Sequence, residues 1–92
     1  MSRLRALARD RDCQIRLEGI CLATRETVVL AHFRLSGLSG LGFKAPDLIA
    51  AWACAGCHAY VDTHKDPQTQ LDFAKGVFRT QATLIEEGEI KC

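Results

Sequence analysis

The longest periodic segment of the sequence lies near its C-terminal end. Apolar side chains recur there about every 3.6 residues, which predicts a helix over residues 69–87. Asp66 followed by Pro67 is typical of an N-cap and a first helical turn, and Gly88 suits the residue that ends a helix. The apolar positions of this helix are Leu71, Ala74, Val77, Phe78, Leu84 and Ile85.

Two short apolar runs and two further helical segments precede this helix. Residues 27–33 are rich in β-branched and apolar side chains and predict a strand, and residues 49–53 predict a second, buried one. Residues 2–9 and 54–63 are predicted to be helical. The glycine-rich residues 36–42 lack the Gly-Lys-Ser/Thr ending of a phosphate-binding loop, so we predict a flexible loop. The central order is therefore strand, loop, strand, helix.

Length and composition restrict the class of protein. The chain has 92 residues, which predicts a single domain over residues 1–92 and excludes a large enzyme with a deep cavity. It is 48% hydrophobic but only 7% aromatic, so a thin aliphatic core must be stabilised by something else. A metal or disulfides would supply that support.

Charge is unevenly distributed along the chain. The net charge is +1, but residues 1–34 hold seven arginines against four acidic residues. The N-terminal arginines Arg3, Arg5 and Arg9 therefore form either a solvated helix or an arm that contacts phosphates. The sequence shows neither a signal peptide nor a membrane span, so we expect a cytoplasmic protein with no membrane partner.

Four of the five cysteines form two pairs that suit one zinc ion. Cys54 and Cys57 make a CxxC turn, and Cys13 and Cys21 make a wider pair. A tight CxxC turn directs both sulfur atoms at one point, and stable disulfides are rare in the cytoplasm. We therefore predict a structural Zn²⁺ held by these four, with Cys92 left as a spare thiol. The alternative is that Cys13 and Cys21 are merely small buried side chains.

Two histidines and an aspartate suggest a second site. His32 lies near the end of the first predicted strand, and His58 directly follows the CxxC pair, four residues before Asp62. A neutral histidine can take a proton from water, and a Mg²⁺ or another divalent cation held by histidine and carboxylate can stabilise charge on a phosphate. Arg34 could add positive charge. The pattern favours phosphodiester hydrolysis, although each histidine alone could simply be a surface or packed residue.

The order and spacing of five segments resemble a known family. The segments are LRALARDRDCQIR, VLAHFRLSGLSG, PDLIA, ACAGCH and EEGEIK. They resemble the HNH, or His-Me finger, endonucleases and, more narrowly and over almost the whole chain, the small phage and prophage proteins of the YbcO type, which are regarded as nucleases. The resemblance implies an α+β fold: a small zinc-stapled ββα-metal domain, treble-clef-like, with flanking helices.

The resemblance also implies roles for individual residues. His32 matches the general base, His58 the last histidine, which binds the catalytic metal, and Asp62 a second metal ligand on the same helix. Asp47 is nearest to the middle asparagine of the family motif, which orients the base or binds metal. Asp47 departs from that asparagine, and Ala31 stands where many such sites carry an acidic residue or histidine.

We therefore expect a metal-dependent endonuclease that hydrolyses DNA in the bacterial host cell of a phage or prophage. One alternative is a catalytically inactive, zinc-stapled DNA-binding module of phage recombination or replication. Another is a protein–protein adaptor without affinity for DNA. Because so small a chain offers little surface to grip DNA, a homodimer or a phage recombination partner is a further expectation.

Overall fold

The computed structural model describes residues 3–22, 24–34 and 46–90. They form a small α+β fold with a two-stranded sheet and three α-helices, and a 3-10 turn at Arg25–Thr27 precedes the first strand. The predicted loop at residues 36–42 and Cys92 lie outside the described residues. The elements in chain order are α1 (Arg3–Leu7), β1 (Val29–His32), β2 (Ala50–Ala53), α2 (Ala55–Thr63) and α3 (Pro67–Glu86).

The sheet is an antiparallel pair whose inner strand is fully buried. Val29 of β1 pairs with Ala53 of β2, and His32 pairs with Ala50. All four residues of β2 are buried, and Trp52, at 2% exposure, is its only large side chain. The small alanines allow α3 to pack closely over β2, and this contact forms the centre of the core.

The residues that cap α3 are those that the sequence predicts. The Asp66 carboxylate accepts a hydrogen bond from the backbone N–H of Thr69 at 3.1 Å, as an N-cap does, and Pro67 is in the first turn. Gly88 has a φ of 76°, the left-handed conformation that ends many helices. The helix begins two residues earlier than predicted because proline is compatible with its first turn.

Only some of the apolar positions of α3 pack against the core. Leu71, Phe78 and Ile85 are 50%, 67% and 42% exposed, whereas Val77 and Leu84 are buried as expected. The buried face includes glycine and threonine because the neighbouring segments come too close for larger side chains. A Cβ on Gly76 would lie 2.9 Å from Ile15 Cγ1. The buried residues of α3 are Thr69, Phe73, Gly76, Val77, Thr80 and Leu84.

The hydroxyl of Thr80 joins α3 to the buried strand. It accepts a hydrogen bond from the Trp52 backbone N–H at 3.0 Å and donates one to the Gly76 carbonyl at 2.9 Å. Thr80→Val should lower the free energy of unfolding by about 1–3 kcal/mol, because it leaves a buried backbone N–H without an acceptor. Thr83→Val is the matched control, since the Thr83 hydroxyl donates to the Arg79 carbonyl one turn back in the same helix. Urea unfolding of both variants measures the difference, and equal losses would contradict this role of Thr80.

The first strand is shorter than the predicted 27–33. Thr27 belongs to the 3-10 turn, where its hydroxyl donates to the Thr24 carbonyl at 3.0 Å. The same hydroxyl accepts a hydrogen bond from the backbone N–H of Ala55 at 3.2 Å, in the first turn of α2. Thr27 therefore hydrogen-bonds to the start of α2 and is not part of the sheet.

The N-terminal segment is fixed to the core and to the end of α3. The Arg11 guanidinium lies over the Trp52 ring, 4.6 Å from its centroid, and makes a two-pronged ion pair with Glu87. That pair lowers the pKa of Glu87. Arg3 pairs with Glu89. Across the described ranges, no helix has both the length and the apolar composition that a membrane span requires.

Candidate functional site

Four cysteine sulfur atoms come together between the N-terminal segment and α2. The Sγ atoms of Cys13, Cys21, Cys54 and Cys57 all lie within 4.8 Å of one another. Cys54 and Cys57 are fully buried, Cys13 is nearly so, and Cys21 is partly exposed. Within residues 3–22, 24–34 and 46–90, this is the only group of three or more Cys, His, Asp or Glu side chains close enough to share a metal ion.

The CxxC turn is shaped by the start of α2. Cys54 is the N-cap, and its sulfur accepts hydrogen bonds from the backbone N–H groups of Cys57 and Leu22, at 3.5 and 3.4 Å. A Cβ on Gly56 would lie only 2.7 Å from the Ile20 carbonyl oxygen. Glycine between the two cysteines therefore lets the segment that carries Cys21 approach the helix.

The electrostatics of the cluster favour a bound cation. Burial opposes ionisation of Cys54, but the two backbone N–H groups stabilise its thiolate, and its pKa falls to about 6. Burial raises the pKa of Cys57, and the neighbouring Cys13 sulfur raises it further. Adjacent thiolates repel one another, so the cysteines do not all ionise easily. A positive metal ion offsets this repulsion, because it stabilises several thiolates at once.

The spacing of the sulfur atoms fits tetrahedral coordination. Four sulfurs at 2.3 Å from a zinc ion are about 3.8 Å apart from one another. Cys21 Sγ and Cys54 Sγ are 3.9 Å apart. The cluster could therefore hold a metal such as zinc, as the sequence predicts.

A separate groove brings the two predicted catalytic histidines together. This histidine groove has a volume of about 680 Å³. His32 reaches it from the end of β1 and His58 from the first turns of α2. The described residues that line it are Arg5, Arg9, Glu26, Val28, Val29, Leu30, His32 and His58.

Asp47 is the partner of His32. His32 Nε2 and Asp47 Oδ1 are 2.6 Å apart, and both side chains are about one-fifth exposed. Arg5 Nε is 3.6 Å from the same carboxylate oxygen. Because a carboxylate only accepts hydrogen bonds, Nε2 of the neutral ring carries the proton. The lone pair of His32 is then on Nδ1.

His58 and Asp62 lie one helical turn apart on α2. His58 Nε2 is 3.7 Å from Asp62 Oδ2, and the two side chains are 40% and 65% exposed. Asp62 thus lies beside the groove through its contact with His58. The pair supplies one nitrogen and one carboxylate, a donor set that accommodates a divalent cation.

The four predicted phosphate-binding arginines occupy different places. Arg5 and Arg9 line the histidine groove. Arg3 pairs with Glu89 instead, and Arg34 is exposed just after β1, outside the described lining. The third histidine, His64, stacks on the Tyr60 ring with centroids 3.7 Å apart and is also outside that lining.

One charged residue of the described groove lining was not predicted from the sequence. Glu26 lies in the 3-10 turn and brings a carboxylate to the histidine groove. The sequence contains no motif around it, because its position depends on how that turn precedes β1.

The chain is similar to known proteins along almost its whole length. Residues 2–89 match the family described as "Putative nuclease YbcO". Two relatives with that description, from Escherichia coli strain K12 and from Enterobacteria phage 82, are each 46% identical over 96 residues, covering 99% of this chain and 99% of theirs. A solved structure described as "Structure of a putative bacteriophage protein from Escherichia coli str. K-12 substr. MG1655" superposes with a TM-score of 0.77 at 39% identity, covering 94% of this chain and 100% of that one. The chain therefore belongs to the YbcO family of putative nucleases.

Proposed function

We propose that this protein is a metal-dependent endonuclease of the HNH type that hydrolyses phosphodiester bonds in DNA. The observation that carries the proposal is the histidine groove, in which His32, His58, Arg5 and Arg9 meet. The nuclease description of the relatives is consistent with this chemistry.

His32 is the general base in this proposal. Its hydrogen bond to Asp47 holds the proton on Nε2 and leaves Nδ1 to accept a proton from water. Asp47 also stabilises the imidazolium that forms once the proton has moved. Asp47 is therefore a positioning residue, and its carboxylate fills the role that the resemblance assigns to asparagine.

His58 and Asp62 would hold the catalytic cation, either Mg²⁺ or another divalent ion. Such an ion, when bound, neutralises charge on the scissile phosphate and on the leaving oxygen. Magnesium commonly binds through one or two carboxylates together with substrate phosphates, whereas imidazole suits metals such as nickel and zinc. Asp62 would supply the carboxylate, His58 would supply the imidazole, and DNA phosphates would supply further oxygen ligands.

The arginines would hold the sugar–phosphate backbone. Arg5 and Arg9 line the groove beside the histidines, so they are the side chains available to phosphates next to the cleaved bond. Arg3 and Arg34 would contribute only outside the groove. Because the net charge is only +1, attraction to DNA must come from this local patch.

The four cysteines would hold a structural zinc ion. This ion would join the N-terminal segment, which carries Arg5 and Arg9, to the start of α2, which carries His58. Cys54 and Cys57 belong to the turn that begins α2 and precedes His58 directly. In this proposal the domain is a treble-clef-like, ββα-metal fold of the His-Me finger type.

The role of Asp47 can be tested without removing the base itself. Asp47→Ala should lower the nicking rate about a hundredfold, because His32 loses the partner that fixes its protonation. Asp47→Asn keeps an acceptor for Nε2 but loses the negative charge that stabilises the imidazolium, so its nicking rate should also lie below that of the wild type. Initial rates of plasmid nicking measure both variants, and equal rates for Asp47→Ala and wild type would contradict the positioning role.

A DNA-binding module without catalysis is the second candidate. One observation favours it. Among the described residues only the cysteines form a compact metal-binding group, and the metal-binding side chains of the histidine groove do not. Such a module would bind DNA with a strong dependence on salt and leave it intact.

Plasmid nicking by the zinc-loaded wild-type protein separates the two candidates. We expect supercoiled plasmid to become open-circular when magnesium, manganese, nickel or zinc is added, and to stay supercoiled when no ion is added. Salt-sensitive DNA binding without nicking under any of these ions would overturn the enzyme proposal and favour the module.

A further inference from the structure

Three side chains at the histidine groove form a chain of contacts that ends at the proposed base. Arg5 Nε is 3.6 Å from Asp47 Oδ1, and the same oxygen is 2.6 Å from His32 Nε2. The side chains of Asp47 and His32 are each about one-fifth exposed, whereas that of Arg5 is half exposed. One carboxylate oxygen therefore contacts both the guanidinium and the imidazole.

The guanidinium restricts the orientation of the Asp47 carboxylate. The terminal torsion of an aspartate is broad, so its carboxylate turns readily unless its partners fix it. A cation beside Oδ1 favours the orientation in which this oxygen also meets His32 Nε2. Because that hydrogen bond determines which ring nitrogen carries the proton, Arg5 acts on the base through Asp47.

The short helix α1, which carries Arg5, is fixed at both of its ends. Its first residue, Arg3, pairs with Glu89, beyond the end of α3. The carbonyl of its last residue accepts a hydrogen bond from Arg11 Nε at 2.9 Å, and Arg11 also pairs with Glu87. These contacts fix the backbone from which Arg5 reaches the groove.

Arg9 offers a comparison within the same groove. It also lines the groove, but it makes no ion pair with a carboxylate in the part of the chain that the structure describes. An arginine without such a partner can assist the reaction only by binding phosphate. The two arginines should therefore differ in their effect on the base, although both bring a positive charge to the groove.

We propose that Arg5 is a positioning residue for the base, and that it holds the Asp47 carboxylate in the orientation that directs His32. The inference rests on the proposed function, in which His32 takes a proton from water. Arg5 keeps its role at the phosphate, because an arginine has five N–H donors and its contact with Asp47 is made through Nε. One side chain then links the DNA backbone to the base.

The kinetics of plasmid nicking by the zinc-loaded protein distinguish the two arginines. Arg5→Gln should raise KM and lower kcat about five- to tenfold, a modest loss because a half-exposed ion pair is weak. Arg9→Gln should raise KM and change kcat by less than about twofold. Arg5→Lys keeps a cation for Asp47, so its kcat should stay within about threefold of the wild type. Equal losses of kcat in Arg5→Gln and Arg9→Gln would contradict the proposal.

The same substitution in an Asp47→Ala background shows whether Arg5 acts through Asp47. There Arg5→Gln should lower kcat by less than about twofold, because the partner through which it acts is already absent. The same five- to tenfold loss in both backgrounds, at about the size given above, would show that Arg5 acts independently of Asp47 and would overturn the proposal.

The imidazole of His32 provides a test that needs no DNA. Long-range proton–nitrogen NMR correlations of the zinc-loaded protein, at a pH where the ring is neutral, show which ring nitrogen carries the proton. Wild type and Arg9→Gln should show one tautomer, protonated on Nε2, and Arg5→Gln should show a mixture. An unchanged tautomer in Arg5→Gln would overturn the proposal. A wild-type protein that never nicks DNA would instead overturn the proposed function, and this spectrum would still decide whether Arg5 orients His32.

Discussion

Cys57→Ser should leave most of the chain unfolded at 25 °C. Structural zinc sites contribute about 10–16 kcal/mol of binding free energy at neutral pH, whereas small domains are stable by only about 5–15 kcal/mol. Cys57 is completely buried within the cluster, so serine there would remove a thiolate ligand and leave a buried hydroxyl. Far-UV circular dichroism and the zinc-to-protein ratio measure the outcome.

Cys92→Ser is the control for that experiment. It removes the one cysteine outside the four-residue cluster, so we expect native circular dichroism and one zinc per chain. Removal of the metal from the wild-type protein with a strong chelator should unfold it in the same way as Cys57→Ser. A Cys57→Ser protein with wild-type stability would show that the cluster does not support the fold.

His32→Ala should lower the plasmid-nicking rate by a factor of about 10²–10⁴. Loss of a general base typically costs this much, because water then has no positioned proton acceptor. The hydrogen bond to Asp47 should be lost as well, but that residue keeps its contact with Arg5. The groove should therefore remain formed.

His64→Ala is the matched control for His32→Ala. It removes the same imidazole from a surface position, where the ring stacks on Tyr60 and lies outside the described groove lining. We expect its nicking rate to stay within about twofold of the wild type. Equal losses in the two variants would point to a general effect of histidine removal and contradict the assignment of the base.

Local chemistry made several elements predictable from the sequence. Asp66 and Pro67 mark the start of α3, and Gly88 marks its end, because capping depends on a few adjacent residues. The CxxC turn also depends on adjacent residues, and its prediction as part of a four-cysteine cluster agrees with the sulfur positions.

Tertiary packing determines which face of α3 is buried, and the sequence alone does not show this. The two faces of α3 are both rich in apolar residues, and the one that packs is the face where Gly76 permits close approach and Thr80 satisfies a strand N–H. Hydrophobic periodicity cannot distinguish these faces, since it predicts that a phenylalanine such as Phe78 is more buried than a threonine such as Thr80.

In the histidine groove, too, some positions depend on adjacent residues and others on tertiary packing. His58 could be placed from its position after the CxxC pair, whereas Asp47 lies fifteen residues from His32 and meets it only through the pairing of the two strands. Arg3 and Arg5 are two residues apart, yet Arg3 pairs with Glu89 and Arg5 lies in the groove. A cluster of arginines in the sequence does not reveal which of them face the substrate.

Binding and cleavage of one labelled DNA duplex, measured in the same samples of wild-type and His32→Ala protein, test the central claim most directly. Both proteins should carry one zinc per chain and bind the duplex with the same dissociation constant. Only the wild type should cleave it, and only with an added divalent ion. Equal cleavage by the two proteins, or binding without cleavage by both, would contradict the account of His32 as the base of a metal-dependent endonuclease.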